Sequence, residues 1–295
     1  MFDLVTAGEA FDDLIFYALD RLPSGGEELK TQSFSRSPGG GAIITAIAAA
    51  RLGLRCAVIS ALSPEAARRL RDEHVFVRNV RRRDEPSAIT VALSTRRDRR
   101  FLTFNGVNDQ LPARIRGLLP RVRGRHVHLA FFPQPCRPWI ALISALRRRG
   151  VTSSWDFGWN PPLVRDPEFR TLAASVDYLF LNRDEALMYA ARTKLSDALD
   201  RWRRASRLVV IKLGAAGSRI VGGGVNLRAG AARARVVDTT GAGDAFNAGF
   251  LAARLCGGDL HAALRLANHV GALSTRRAGG LAALPGRRHP ARKRA

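Results

Sequence analysis

Lysine is scarce in this chain: four lysines stand against 44 arginines, within a net charge of +23. So basic a balance ordinarily raises nucleic-acid binding. The arginines, however, are scattered among Ala and Gly. Clusters such as Arg81-Arg82-Arg83, Arg96-Arg97 with Arg99-Arg100, and Arg147-Arg148-Arg149 read as loops or helix ends. Aromatics make up only 7%, and they do not interleave with the basic residues. Specific nucleic-acid recognition is therefore not expected, although weak, salt-sensitive adhesion to polyanions is.

Cysteine is equally sparse. Cys56, Cys136 and Cys256 form no Cys-x-x-Cys pair, which argues against a zinc site or a disulfide framework and suits a reducing interior. No uncharged apolar run approaches the ~18 residues of a membrane span, and Gly39 to Ala50 is too short. The first residues reach an acidic motif at Glu9 without a basic and apolar leader, so a cytoplasmic protein is expected. Gly-x-x-x-x-Gly-Lys-Ser/Thr is also missing, which excludes the P-loop solution to phosphate binding. His126 and His128 share one face of a strand, but no third ligand is in view, so a structural role is expected.

What remains is an apolar content of 46%, enough for a proper core. Apolar strands are expected at Leu4 to Ala7, Leu54 to Ala61, Val127 to Phe132, Val151 to Asp156, Tyr178 to Asn182 and Leu208 to Leu213. They alternate with helices such as Trp139 to Arg149 and Asp184 to Ala191. That rhythm predicts an α/β fold with a mainly parallel sheet and helices on both faces. Residues 11–37 and 87–105 break the rhythm and read as antiparallel strands, the second with an alternation of Ile89, Val91 and Leu93 and of Phe101 and Thr103. A short Arg-rich helix is expected within Ser60 to His74. Residues 287–295 form a basic tail expected to fray, leaving 1–286 as one domain.

The most informative stretch is Asp238-Thr239-Thr240-Gly241-Ala242-Gly243-Asp244-Ala245-Phe246. Val236 and Val237 before it read as the tail of a strand. Phe246, Phe250 and Leu251 mark a buried helical face. Small residues let backbone amides gather at a helix N-terminus, a place that attracts phosphate. A carboxylate there competes with the anion unless it takes a proton from a hydroxyl attacking a phosphoryl group. From the residues alone, an ordinary helix start with Thr240 as N-cap and Asp244 settling the dipole is an equal reading.

The full string resembles the C-terminal signature of the ribokinase-like sugar kinases, the phosphofructokinase B family. That resemblance implies a three-layer α/β sandwich with a small β lid made by segments 11–37 and 87–105. It implies Asp244 as catalytic base and the amides of Gly241, Ala242 and Gly243 as an anion hole. Gly8-Glu9-Ala10-Phe11-Asp12-Asp13 is similar to the family's opening motif, which makes Asp13 a reader of substrate hydroxyls. Pro38-Gly39-Gly40-Gly41, opening an Ala-rich helix capped by Gly53, is similar to its first signature, where Gly39, Gly40 and Gly41 would bare backbone to substrate.

Ile44 departs from the pattern, standing where the family carries a sugar-binding Asn. Asn182 and Glu185 resemble the family's Asn-x-x-Glu, which organises Mg²⁺ through water; a capping box reads equally well from the spacing. Lys212, Gly214 and Gly217 resemble the nucleotide-side strand and turn. Asn268 resembles a residue of the adenine side, Gly279-Gly280 the adjoining monovalent-cation loop, and Asp156 to Asn160 a stretch near the phosphates.

The resemblance thus implies ATP-dependent phosphorylation of a hydroxyl on a small sugar or polyol, with ATP, Mg²⁺ and K⁺ as a candidate further ion. A homodimer is a candidate assembly, and neither a membrane nor a specific nucleic acid is an expected partner. A nucleoside kinase on the same scaffold, for which Ile44 would offer apolar surface to a base, and a non-catalytic sugar- or nucleotide-binding descendant are the alternatives.

Overall fold

The computed structural model describes residues 1–95, 99–204 and 207–286. The expected basic tail, 287–295, and Arg96-Arg97 lie outside the described residues. A nine-stranded sheet forms the middle layer, in the order β13-β12-β11-β10-β9-β8-β1-β4-β5. Its parallel part comprises β1 (Phe2–Gly8), β4 (Cys56–Ser60), β5 (Phe76–Asn79), β8 (Gly124–Ala130), β9 (Thr152–Asp156), β10 (Tyr178–Asn182) and β11 (Leu208–Lys212). An antiparallel hairpin, β12 (Ser218–Gly222) and β13 (Val225–Ala229), extends the β11 side.

Alternate residues of the central strands enter opposite cores, as a sheet covered on both faces requires. Leu179 and Leu181 pack with α3 (Leu111–Leu118), α4 (Arg137–Arg148), α5 (Phe169–Ser175), α6 (Arg183–Ala190) and α7 (Leu195–Arg203). Phe180 and Val210 pack with α1 (Gly41–Arg51), α2 (Pro64–Asp72), α8 (Ala242–Leu255) and α9 (Leu260–Ser274). Small side chains, Ala46, Ala48 and Ala49 among them, let α1 lie deep against the sheet and α8. The His126 and His128 imidazoles face one another's neighbourhood in the interior and bond to Thr152 and Ser154. Burial drops them to about 3 and about 4, so both stay neutral and structural at physiological pH.

A second sheet, ordered β3-β2-β6-β7, is made by β2 (Phe11–Leu19), β3 (Phe34–Gly39), β6 (Ile89–Thr95) and β7 (Arg99–Phe104). The lid segments therefore form strands as expected, with one correction. β2 and β3 pair antiparallel, as do β6 and β7, but β2 and β6 run parallel. The two hairpins are far apart in sequence and meet side by side, a pairing that alternation alone does not orient. Asn108 Nδ2 and Ser63 Oγ tie this sheet's base to the main body, through the Ala10 carbonyl and Asp12 Oδ1.

Two further corrections concern the signature region. Val236 and Val237 are not a strand tail. They lie exposed on a segment without regular structure, held by the Val237 and Asp238 amides donating to the Thr275 carbonyl. Thr240 does not cap α8 either. Gly241 is the N-cap, in the left-handed region at φ 69°, and no side chain caps the helix.

Strand order reverses between β1 and β8: from β1 the chain winds outward to β4 and β5, and from β8 it winds the other way to β9, β10 and β11. In an open α/β sheet, the carboxyl ends of the strands at such a reversal form the natural ligand crevice.

Candidate active site

The crevice sits where Gly8 ends β1 and Ala130 ends β8. A Cβ on Gly8 would lie 2.2 Å from the Ala130 carbonyl oxygen, so this floor is built of bare backbone. Above it comes the glycine run. A Cβ on Gly41 would lie 2.9 Å from the Ala130 Cβ and 3.0 Å from Asp244 Oδ1; one on Gly39 would overlap the Asp13 carboxylate. Gly40 takes φ 99° and passes close to the Glu9 carbonyl. These approaches explain why three glycines precede α1, and they bring Asp13 and Asp244 to the two flanks of one turn.

Asp13 is 9% exposed, and its carboxylate has no hydrogen-bond or ion-pair partner among the described residues. Burial, with repulsion from Asp12, Asp244 and Asp238, raises it to about 7. Asp244 lies in the first turn of α8. Burial, then repulsion from Asp156 and Glu185, raises it to about 7 against the opposing pull of the Lys212 ammonium. A carboxylate in that range is a competent base at neutral pH. Thr45 Oγ1 donates to the Asp244 carbonyl and so fixes this turn of α8 to α1.

The α8 N-terminus carries the chemistry of an anion site. The Ala242 amide donates to the Thr239 carbonyl at 3.2 Å, whereas those of Gly241 and Gly243 have no acceptor among the described residues. Unpaired helix-start donors and the positive end of the helix dipole favour an oxyanion. Asp238 holds this loop in shape: its Oδ1 accepts from the Thr240 amide and hydroxyl, and its Oδ2 from the Gly279 amide.

Three polar residues stand at the carboxyl ends of adjacent strands: Asp156 on β9, Asn182 on β10 and Lys212 on β11. Asn182 and Glu185 form a full capping box. The Asn182 amide and Nδ2 each donate to a Glu185 carboxylate oxygen at 2.7 Å, and Asn182 Oδ1 accepts from the Glu185 amide at 2.8 Å. Burial and the nearby Asp156 raise Glu185 to about 7. Lys212 Nζ lies 2.6 Å from Asp156 Oδ2. Burial alone would raise the Asp156 carboxyl, but this ammonium holds it below its ordinary value.

The expected residues do not all converge. Gly214 and Gly217 bracket the β11–β12 turn at positive φ, and a Cβ on Gly217 would lie 2.1 Å from the Ala229 carbonyl. Asn268 Nδ2 donates to the carbonyls of Ala229 and Gly230. Gly217 and Asn268 therefore gather around the end of β13, a rim distinct from the Asp13–Asp244 turn. Ile44 is 2% exposed; Cβ atoms on Gly241 and Gly280 would sit 2.6 and 2.7 Å from its Cδ1. It is packing between loops.

Asp156, expected through the resemblance only as part of a stretch near the phosphates, ends β9 inside the site. One site member escaped sequence reasoning altogether. Asn247, whose Nδ2 reaches Asp156 Oδ2 at 2.8 Å, lies one turn beyond Asp244, and nothing in its spacing singles it out.

No helix among the described residues is long and apolar enough to cross a membrane. The model of the pfkB family of carbohydrate kinases matches residues 1–287. An ATP-dependent ribose-1-phosphate kinase from Halopiger xanaduensis is 30% identical over 283 residues, covering 90% of this chain and 89% of the relative. Among solved structures, the adenosine kinase of Sinorhizobium meliloti superposes with a TM-score of 0.80 at 24% identity, covering 96% of this chain and 97% of that one. The Arabidopsis thaliana ribokinase complexed with ribose and ATP gives 0.79 at 24% identity, with 97% and 96% covered. The two structures carry the fold, and the family match carries the activity: the chain belongs to the pfkB family and is an ATP-dependent carbohydrate kinase.

Proposed function

We propose that the protein transfers the γ-phosphoryl group of ATP to a hydroxyl of a small sugar or sugar-like polyol. The reading rests on one juxtaposition: two carboxylates near neutrality, Asp13 and Asp244, flank a bare glycine turn beside the unpaired α8 amides. Asp13, with the backbone at Gly39, Gly40 and Gly41, accepts from adjacent hydroxyls of the acceptor. Asp244 takes the proton of the attacking hydroxyl. The amides of Gly241, Ala242 and Gly243 stabilise the charge on the transferring group, which requires the Ala242 amide to leave Thr239. On the nucleotide side, Lys212 serves the γ-phosphoryl end and Gly214, Gly217 and Asn268 the remainder.

The donor set fits a metal-bearing nucleotide. Glu185, Asp156 and Asp244 repel one another, and Lys212 is the cation that offsets them. Among the described residues no three His, Cys, Asp or Glu side chains form a metal cage. Asn182 and Glu185 would therefore act through water on Mg²⁺ carried by ATP, whose charge neutralises the polyphosphate.

A nucleoside acceptor drew on Ile44 as apolar surface for a base. Buried between Gly241 and Gly280, Ile44 offers no such surface. The test is an ADP-release screen over hexoses, pentoses, sugar phosphates and nucleosides, with and without K⁺. A free sugar or polyol is expected to give the highest kcat/KM. Nucleosides outperforming every sugar would reject the acceptor class, and ADP release from none would reject Asp244 as a working base.

A further inference from the structure

We propose that Asp156 is a positioning residue for phosphoryl transfer: together with Asn247 it holds the Lys212 ammonium beneath the N-terminus of α8, where Lys212 meets the transferring phosphoryl group. This rests on the reading of the α8 turn as the phosphoryl site.

Three contacts carry the inference. Asp156 Oδ2 accepts from Lys212 Nζ at 2.6 Å and from Asn247 Nδ2 at 2.8 Å, while Oδ1 accepts from the Gly158 amide at 3.2 Å. One carboxylate thereby links the ends of β9 and β11 to the first turns of α8. The ammonium, in turn, lies 3.2 Å from where a Cβ on Gly243 would stand. A side chain at residue 243 would press on it, so the glycine next to Asp244 serves Lys212 as well as the backbone amides.

The electrostatics point the same way. A helix N-terminus is positive, and placing an ammonium against it is unfavourable unless an anion joins them. Asp156 is the ammonium's bonded anion, with Glu185 and Asp244 acting on it as well, while the Gly243 amide beside it has no acceptor among the described residues. A phosphoryl group carrying negative charge on its equatorial oxygens satisfies both donors together.

Asn247 bears the clearest mark of a functional constraint. It is fully buried, and its Oδ1 has no hydrogen-bond partner. An orphaned buried acceptor is destabilising, and an apolar side chain would avoid it. Its Nδ2 can reach Asp156 only in the orientation that leaves Oδ1 alone. The arrangement sacrifices a hydrogen bond to fix the carboxylate that fixes the lysine.

The test compares Asp156→Asn, Lys212→Met and the double variant with the parent. Steady-state kinetics use the best acceptor of the screen, and calorimetry gives the affinity for ADP and for a non-hydrolysable ATP analogue. Lys212→Met is expected to lower kcat about 10²–10³-fold, the usual loss for one donor to a developing oxyanion. It should weaken the analogue about tenfold and leave the ADP Kd within about threefold, because ADP lacks the group that Lys212 meets. Asp156→Asn is expected to lower kcat about tenfold or more at unchanged acceptor KM and ADP Kd. The double variant should be no slower than Lys212→Met alone, since Asp156 acts through the lysine.

Multiplying effects would overturn the proposal, as would an ADP Kd weakened as much as that of the analogue. So would near-parental kcat in Lys212→Met. Should a single variant fail to fold because it breaks the Lys212–Asp156 pair, the double variant removes both partners of that pair together; parental turnover in that protein also overturns it. An inactive Asp244→Asn beside fully active Asp156 and Lys212 variants would leave the base assignment standing and remove this one alone.

Discussion

Gly39 and Asp13 occupy adjoining volumes so closely that a Cβ on the glycine would fall 1.9 Å from Asp13 Oδ2. β2 and β3 pair Asp13 with Ser37 and Phe11 with Gly39, so the carboxylate crosses diagonally over the glycine rather than sitting opposite it. Gly39→Ala therefore has to displace the carboxylate, because the three atoms nearest such a Cβ all belong to the Asp13 side chain. The expected outcome is an acceptor KM raised about tenfold or more, with the ADP Kd within about threefold of the parent. Kinetics beside calorimetry separate the two, and an unchanged acceptor KM would remove Asp13 from the acceptor site.

Asp244→Asn keeps the shape of the first turn of α8 and removes only the capacity to accept a proton. Loss of a general base costs about 10²–10⁴-fold in rate. A kcat lower by that span is expected, with ADP binding retained, as measured by coupled ADP release and calorimetry. Turnover close to the parent would show that the attacking hydroxyl loses its proton elsewhere.

The same carboxylate sets two opposite pH trends. Catalysis needs it ionised, and burial with repulsion from Asp156 and Glu185 has raised it to about 7. The kcat/KM should therefore fall about tenfold per pH unit below that value and level off above it. Stability moves the other way. Between the ordinary carboxylate range and about 7 the folded chain holds a proton that the unfolded chain has released, so stability is lost as pH rises through that window. The melting advantage of Asp244→Asn over the parent should accordingly widen by several degrees from pH 5 to pH 8, at about 2–4 °C per kcal/mol. A gap that stays the same at both pH values would mean that the carboxylate is not strained.

Much of this was legible in the chain. The six strands expected from apolar runs are the core of the main sheet, because both faces of that sheet are covered and alternation is not needed to see them. The Gly-Ala-Gly turn and the triple glycine identified Asp244 and its surroundings through backbone demands that only small residues meet. The hairpin β12–β13 was not foreseen: Ser218–Gly222 and Val225–Ala229 are short and are parted by glycines that resemble those of the nearby turn. The parallel pairing of β2 with β6 depends on two distant hairpins meeting. Asn247 escaped, and the role of Asp156 within its stretch was not specified, because their partnership joins residues 91 positions apart, which no local spacing encodes.

Ile44 offers the sharpest contrast between alignment and packing. The resemblance put it where a sugar-binding Asn is usual, so restoring that Asn would seem to improve acceptor affinity. In the structure the side chain is 2% exposed and wedged between Gly241 and Gly280. Ile44→Asn would remove apolar contacts and bury an amide with few partners, at a cost of about 1–3 kcal/mol for the unpaired group alone. A Tm lowered by several degrees is expected, with no fall in the acceptor KM for any sugar. The anion loop rests on this side chain, so kcat should drop as well, because displaced Gly241 and Gly243 amides no longer meet the transferring group. A variant that melts like the parent and binds sugar more tightly would place residue 44 in the acceptor pocket and put the hydroxyl contacts of this enzyme on α1 rather than on Asp13.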